Sequence, residues 1–206
     1  MRKKRRKQQK QRIFFVDDEP KIRDVVGEVL KESGFEVSCF SCAADCLERL
    51  RRRTCDLLIT DVKMPGMNGI ELLSETQRFA PWLPVLLVTG YGDVPMATSA
   101  FKAGAVDFVE KPLDRQTLLS AVESVLKRIN PIDPILGKTL TRTEMRVLRV
   151  ILGGKSNKDI ARLLRRDVRT IEWHRNKIMR KLGVGNAVDL VKRAAVMGLV
   201  EMPSNE

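Results

Sequence analysis

The sequence predicts an α/β domain with a doubly wound, five-stranded parallel sheet, followed by an all-α domain of four helices. Between residues 13 and 128, apolar runs of four to six residues alternate with helical patterns of ten or more. This alternation is typical of βα units in a parallel sheet. After residue 140 the patterns are helical and carry capping residues. A chain of 206 residues can bury a core in each of two such domains.

The predicted strands and helices of the first domain are bounded by turn residues or by a change of hydrophobic period. The strands are Ile13 to Val16, Glu36 to Phe40, Asp56 to Thr60, Pro84 to Val88 and Val106 to Val109, and the helices lie near 20 to 33, 43 to 53, 68 to 79, 94 to 103 and 114 to 128.

The net charge of +12 is unevenly distributed. Residues 1–12 carry eight Lys or Arg and no acid, residues 13–128 carry 14 basic and 18 acidic residues, and residues 129–206 carry 16 and 8. A basic second domain is a candidate for binding nucleic acid. Residues 1–12 lack an apolar face and repel one another, which predicts disorder. Either a phosphate-attracting arm or a solvated tail fits them.

The sequence also predicts the remaining boundaries and the compartment. Asn130-Pro131-Ile132-Asp133-Pro134 ends the preceding helix, so residues 129–139 are predicted to be a linker, 140–201 the helical domain and 202–206 a tail. No apolar run approaches a membrane span, which predicts a cytoplasmic protein without membrane contact. The four cysteines between 39 and 55 lack the second pair or histidine of a zinc site, so free thiols are expected.

Charged or hydroxyl residues stand at the ends of four of the five predicted strands. Asp17 and Asp18 follow the first strand, Asp61 ends the third, Thr89 ends the fourth, and Lys111 comes just after the fifth. Carboxyl ends of parallel strands share the edge where ligands bind. Taken alone, Asp61 would be interpreted as a turn former before a Pro-Gly loop. The coincidence of four strand ends favours a functional cluster instead.

The chemistry of such a cluster points to phosphoryl transfer. Crowded carboxylates stay ionised most easily when a divalent cation joins them, and all-oxygen ligands suit Mg²⁺. An aspartate carboxylate can attack phosphorus to give an acyl phosphate. Lys111 would then neutralise one phosphoryl oxygen, and the Thr89 hydroxyl would form a hydrogen bond to another. Without the metal, Lys111 could pair with Asp61.

Residues 13–128 resemble the receiver domain of bacterial response regulators, particularly those of the FixJ type. The motifs that carry the resemblance are Asp17-Asp18, Asp61, Lys63 to Gly69, Thr89 to Ala97 and Lys111-Pro112. The resemblance implies a flavodoxin-like fold, Asp61 as phosphoacceptor and a cis peptide bond before Pro112. The implied Mg²⁺ ligands are Asp18, Asp61 and the Lys63 carbonyl, with Asp17 acting mainly through water. Thr89 and Phe108 are implied as the switch pair, although Phe108 could also be a plain core aromatic.

The second domain has the signals of a helix-turn-helix module. Thr141 to Glu144 and Ser156 to Asp159 are capping boxes. A third helix is predicted from Asp167, or just after it, to about Leu182-Gly183, and a fourth from Asn186 to Leu199. Four short helices with a tight turn are typical of this module.

The third helix presents a polar face that predicts DNA contact. Ile171, Ile178 and Leu182 share its core face, and Trp173 lies opposite among basic and amide side chains. Trp173 would make an apolar base contact, and Asn176 or Glu172 would bond to base edges. Phosphate contacts are predicted for Arg169, Lys177 and Arg180. Alternatively, Trp173 caps a neighbouring helix or packs on the first domain. His174 is expected to orient or pack. The predicted DNA-binding residues are Lys158, Arg169, Thr170, Glu172, Trp173, Asn176, Lys177 and Arg180.

Residues 140–199 resemble the LuxR/FixJ-type DNA-binding domain. The matching segments are Leu140-Thr141, Glu144, Ser156 to Ala161 and Thr170 to Arg175. The resemblance implies dimers that bind the major groove, with the fourth helix commonly serving the dimer contact. Arg166 departs from the pattern, because the turn position that it occupies is usually apolar. It either points outward toward phosphate or loosens the turn.

The combined prediction is a two-component response regulator, not an enzyme beyond its own phosphorylation chemistry. A sensor histidine kinase would phosphorylate Asp61 and shift a surface around the predicted helix at 94–103 and the fifth strand. The resemblance then implies either dimerisation through that surface or release of the DNA-binding domain. The expected partners are double-stranded promoter DNA, a second copy in a phosphorylation-dependent homodimer and, as a further candidate, RNA polymerase. One alternative is a phosphatase, for which an Asp-x-Asp motif and a cap insertion are missing. The other is a phosphorylation-independent DNA-binding or scaffolding protein.

Overall fold

The computed structural model describes residues 10–90, 104–129 and 140–199, which form two compact units. The predicted helix at 94–103, most of the basic arm, the linker at 130–139 and the tail lie outside the described residues. Among the helices that are described, none combines the length and hydrophobicity needed to cross a membrane.

The first unit is a parallel sheet in the order β2-β1-β3-β4-β5. This strand order and the flanking helices confirm the predicted flavodoxin-like α/β fold. The strands are β1 (Arg12–Val16), β2 (Glu36–Phe40), β3 (Leu57–Asp61), β4 (Val85–Thr89) and β5 (Asp107–Glu110), and the helices are α1 (Pro20–Glu32), α2 (Ala43–Arg52), α3 (Gly69–Phe79) and α4 (Arg115–Ile129).

The central strands β3 and β4 are buried at every residue. Helices on both faces of a parallel sheet require nearly continuous apolar runs in its middle strands. Asp61 pairs with Val88 at the carboxyl end of this core, and Thr89 ends the neighbouring strand. The apolar runs therefore deliver these two polar residues to one edge.

The first strand begins earlier than predicted. Arg12, which the sequence assigned to a disordered arm, is the first residue of β1. Its N–H donates to Asp56 Oδ2 at 2.7 Å, and its guanidinium Nε lies 3.1 Å from Glu36 Oε1. The carboxylates of Asp56 and Glu36 thus fix Arg12, the last arginine of the basic run, at the start of β1.

The second unit contains four helices within residues 140–199: α5 (Arg142–Leu152), α6 (Asn157–Leu164), α7 (Val168–Leu182) and α8 (Ala187–Val196). Both predicted capping boxes are present, at the starts of α5 and α6. Gly183 ends α7 with φ 64°, as its position predicted. The last helix ends three residues before the predicted Leu199, because Gly198 at φ 70° leaves the helical conformation.

The cysteines of the first unit are free thiols, as predicted. Cys46 and Cys55 are buried, whereas Cys39 is exposed. Burial raises the pKa of the Cys39 thiol and, more strongly, that of Cys46. A raised pKa keeps these thiols mainly protonated at neutral pH, which lowers their reactivity as nucleophiles.

Candidate functional site

Three carboxylates meet at the carboxyl edge of the sheet. One oxygen each of Asp17, Asp18 and Asp61 lies within 4.8 Å of the others. Asp17 is fully buried, and Asp61 is 4% exposed. The clustering expected from the strand ends is therefore present, and most of it is shielded from water.

The ammonium group of Lys111 holds this cluster together from the end of β5. Its Nζ lies 2.9 Å from Asp61 Oδ2, 3.1 Å from Asp17 Oδ2 and 3.4 Å from Glu19 Oε1. Burial alone would lower the pKa of Lys111, but its hydrogen bonds to Asp61 and Asp17 outweigh burial and raise it. Lys111 therefore carries a permanent positive charge beside Asp61, and the peptide bond that follows it, to Pro112, is cis.

The cluster carries more negative than positive charge, because Lys111 is the ammonium group that neutralises the three clustered carboxylates. Burial raises the pKa of Asp17, although the Glu19 N–H at 2.8 Å and the Lys111 ammonium oppose that shift. A divalent cation among the three carboxylates would supply the missing charge, and the all-oxygen donor set fits Mg²⁺. The Lys63 N–H lies 3.4 Å from Asp61 Oδ1, whereas the metal-binding role of its carbonyl stays a prediction.

Gly69, at the start of α3, is a site residue that sequence reasoning did not single out. A β-carbon at this position would collide with the carbonyl oxygen of Asp61. The Gly69 N–H also donates to the carbonyl of Val62 at 3.0 Å, which closes the loop after β3. The available signal was a capping box from Asn68 to Glu71, whose Asn68 Oδ1 accepts the Glu71 N–H at 2.9 Å.

The two predicted switch residues occupy different environments. Thr89 is 7% exposed, and its hydroxyl donates to the carbonyl of Gly90 at 3.3 Å. The Thr89 carbonyl accepts the Lys111 N–H at 2.7 Å, which ties the ends of β4 and β5 together. Phe108 on β5 is partly exposed, so it is not an enclosed core aromatic.

The predicted recognition face of α7 is open to solvent. Trp173 is 56% exposed. Ile171, Ile178 and Leu182 are fully buried on the opposite face, as the periodicity predicted. The exposed members of the predicted DNA-binding set are Lys158, Arg169, Glu172, Trp173, Asn176 and Arg180, whereas Thr170 and Lys177 are partly exposed.

Three other residues of this unit clarify the sequence interpretation. His174 is half-buried, and its ring forms a T-shaped contact with Trp173 at 4.9 Å between ring centroids, which fits the packing role. Burial lowers the pKa of His174. Arg166 is exposed, which agrees with an outward orientation, and its contact with phosphate stays a prediction. Lys177 does not extend freely toward solvent, because its Nζ lies 3.3 Å from the buried Glu144 Oε1.

Comparison with known proteins finds a family match for each of the two units. Residues 13–123 match the response regulator receiver domain, and residues 138–194 match the bacterial regulatory proteins of the luxR family. The chain is a response regulator with a LuxR-type DNA-binding domain.

Relatives of this response regulator share both domains. It is 34% identical over 190 residues to the response regulator protein TodT of Pseudomonas putida, covering 87% of this chain and 83% of TodT. It is 34% identical over 197 residues to the transcriptional regulatory protein FixJ of Bradyrhizobium diazoefficiens, covering 91% of this chain and 96% of FixJ. A crystal structure of full-length FixJ from B. japonicum matches with a TM-score of 0.56 and 34% identity, over 93% of this chain and 99% of that one. Both of these relatives are named as regulatory proteins.

Proposed function

We propose that Asp61 accepts a phosphoryl group from a sensor histidine kinase and that the phosphorylated protein binds promoter DNA to regulate transcription. The observation that carries this proposal is the position of Asp61, whose carboxylate lies between two further acids and the Lys111 ammonium. The clustering of Asp17, Asp18 and Asp61 supports Mg²⁺ as the cofactor. Its proposed protein ligands are Asp18, Asp61 and the Lys63 carbonyl, with Asp17 acting mainly through water.

In the proposed transfer, an Asp61 carboxylate oxygen forms a bond to phosphorus while the bond from phosphorus to the donor's imidazole nitrogen breaks. The electron pair of that bond returns to the imidazole. Mg²⁺, when bound, neutralises phosphoryl oxygens. Lys111, already 2.9 Å from Asp61 Oδ2, exchanges a carboxylate partner for a phosphoryl oxygen. The Thr89 hydroxyl, which bonds only to its neighbour's carbonyl at 3.3 Å among the described contacts, is available to turn toward the phosphoryl group.

The proposed output is the exposed face of α7. Phosphorylation would favour a homodimer that places two copies of this face in the major groove of paired half-sites. Arg169 and Arg180 would contact phosphates, and Trp173, Asn176 and Glu172 would contact bases. RNA polymerase is a further candidate partner on the DNA, and the cytoplasm is the compartment that contains all of these partners.

The test compares DNA affinity and molecular size with and without acetyl phosphate and Mg²⁺ at one salt concentration. We expect phosphorylation to increase the dimer fraction and to tighten binding to a duplex that the protein selected from a random pool. Asp61→Asn should abolish both responses. Asp45→Asn, an exposed acid in the first turn of α2, is the matched control and should respond like wild type. An unchanged size and affinity after phosphorylation would instead favour a phosphorylation-independent DNA-binding protein.

A further inference from the structure

We propose that Lys177 positions the Trp173 indole for base contact, is itself held by the buried carboxylate of Glu144, and does not bind phosphate. This inference rests on the proposed DNA-binding function. It replaces the phosphate contact that the sequence predicted for Lys177 and adds Glu144 to the residues that shape the recognition surface.

Glu144 is the fixed end of this arrangement. The residue is fully buried, and its Oε2 accepts hydrogen bonds from Lys181 Nζ at 2.6 Å and from the Thr141 N–H at 2.7 Å. Its Oε1 lies 3.3 Å from Lys177 Nζ. A buried carboxylate needs charged partners, so withdrawing either lysine leaves it under-compensated. Lys177 is therefore bound to the interior at its charged end.

The same ammonium group lies over the Trp173 ring, 4.5 Å from the ring centroid. Residues 173 and 177 are one helical turn apart and face the same side of α7. The contact is a cation–π interaction, which favours one orientation of the indole. His174 adds an edge contact to the same ring at a centroid distance of 4.9 Å. The contacts with Lys177 and His174 therefore restrain the Trp173 ring, which is still 56% exposed.

The ammonium group of Lys177 already interacts with Glu144 and with the Trp173 ring inside the domain. Its side chain is 31% exposed and lies beside Glu144, whereas Arg169 and Arg180 are exposed on the same helix. Reaching a DNA phosphate would require Lys177 to leave both Glu144 and Trp173. If Lys177 stays in place, neither of these two contacts is lost. Its position over the ring also limits the rotamers of Trp173, so less side-chain entropy is lost when the protein binds DNA.

The experiment uses the full chain and two duplexes, one selected by the wild-type protein from a random pool and one of scrambled sequence. Lys177→Met should weaken binding to the selected duplex roughly fivefold or more, as loss of a base contact does. Binding to the scrambled duplex should stay within about twofold, and the dependence of affinity on salt should be unchanged because no phosphate contact is lost. Lys177→Arg, which keeps the charge over the ring, should restore most of the selectivity.

Two further variants separate positioning from phosphate contact. Arg180→Met is the matched control and should weaken both duplexes and reduce the salt slope by about 0.9. Trp173→Ala should lose the same selectivity as Lys177→Met, and the double variant should lose no more than either one, because both changes remove one contact.

Equal weakening of both duplexes by Lys177→Met, together with a reduced salt slope, would overturn the inference and return Lys177 to phosphate binding. Multiplicative losses in the double variant would also overturn it. If the wild-type protein bound selected and scrambled DNA equally well, the proposed sequence recognition by this domain would be overturned, and not only the role of Lys177. Far-UV circular dichroism should show unchanged helix content in Lys177→Met, because Lys181 still pairs with Glu144.

Discussion

The backbone of Gly69 lies so close to Asp61 that a β-carbon on residue 69 would overlap the Asp61 carbonyl oxygen. The first turn of α3 therefore packs directly on the peptide that carries the proposed phosphoacceptor. Because the obstructing atom belongs to the backbone, side-chain rotation cannot relieve the overlap.

Gly69→Ala should destabilise the receiver domain by about 2 kcal/mol or more, since the helix or the strand end must shift. Chemical unfolding monitored by circular dichroism measures this change. Gly90→Ala is the matched control, because a β-carbon there meets nothing within 4 Å among the described residues, and its stability should change by less than about 0.5 kcal/mol. Equal effects of the two substitutions would contradict the close packing at residue 69.

Lys111→Met should make the receiver domain depend on added Mg²⁺. Without the ammonium, three carboxylates face one another, so stability in EDTA should fall by about 2 kcal/mol. Added Mg²⁺ should raise the melting temperature more in the variant than in wild type, because no ammonium competes for the carboxylates. Differential scanning fluorimetry in EDTA and in Mg²⁺ measures both effects. Lys31→Met, an exposed change on α1, should behave like wild type, and an equal Mg²⁺ shift in all three proteins would refute the prediction.

Glu144 should make the DNA-binding domain sensitive to acid. Burial would raise the pKa of Glu144, but Lys181, the Thr141 N–H and Lys177 lower it from 4.5 to about 2. The folded state therefore favours the charged form, and this stabilisation is complete above about pH 4.5 and is lost as the pH falls toward 2.

Glu144→Gln should lower stability at pH 7 by about 2–3 kcal/mol, because two lysines lose their charged partner. The variant should also lose less stability than wild type between pH 4.5 and 2. Urea unfolding at a series of pH values tests both points. Asp159→Asn changes the exposed carboxylate of the second capping box and should have a smaller effect at pH 7. If Glu144→Gln lost as much stability as wild type between pH 4.5 and 2, other titrating groups would account for the acid sensitivity of the domain.

Arg165→Gly should stabilise the helix-turn-helix module. Arg165 ends α6 in the left-handed conformation with φ 50°, where a β-carbon is unfavourable. After allowance for the greater freedom of glycine in the unfolded chain, the gain should be about 0.5–1 kcal/mol. The melting temperature is the readout. Arg166→Gly removes the same charge at a neighbouring exposed position without a positive φ, so it should not stabilise the domain.

Much of the receiver site was predictable because its residues stand at strand ends. Asp61 and Thr89 end β3 and β4, one residue beyond the predicted strand ranges, and Lys111 directly follows β5. In a parallel sheet, an apolar run fixes which residue reaches the ligand-binding edge. The helix patterns likewise predicted that Ile171 is buried and Trp173 exposed on α7.

Contacts between residues distant in sequence were decided by the tertiary structure. The helical period placed Lys177 toward the polar face of α7, but only packing against α5 reveals the buried Glu144 that binds its ammonium. The collision that requires glycine at residue 69 is likewise visible only once α3 rests on the end of β3. Apolar periodicity along the sequence thus determined the strands, the helix faces and the edge that carries Asp61. Tertiary packing decided which charges neutralise one another, because ion pairing and steric overlap depend on distances across elements that periodicity does not encode.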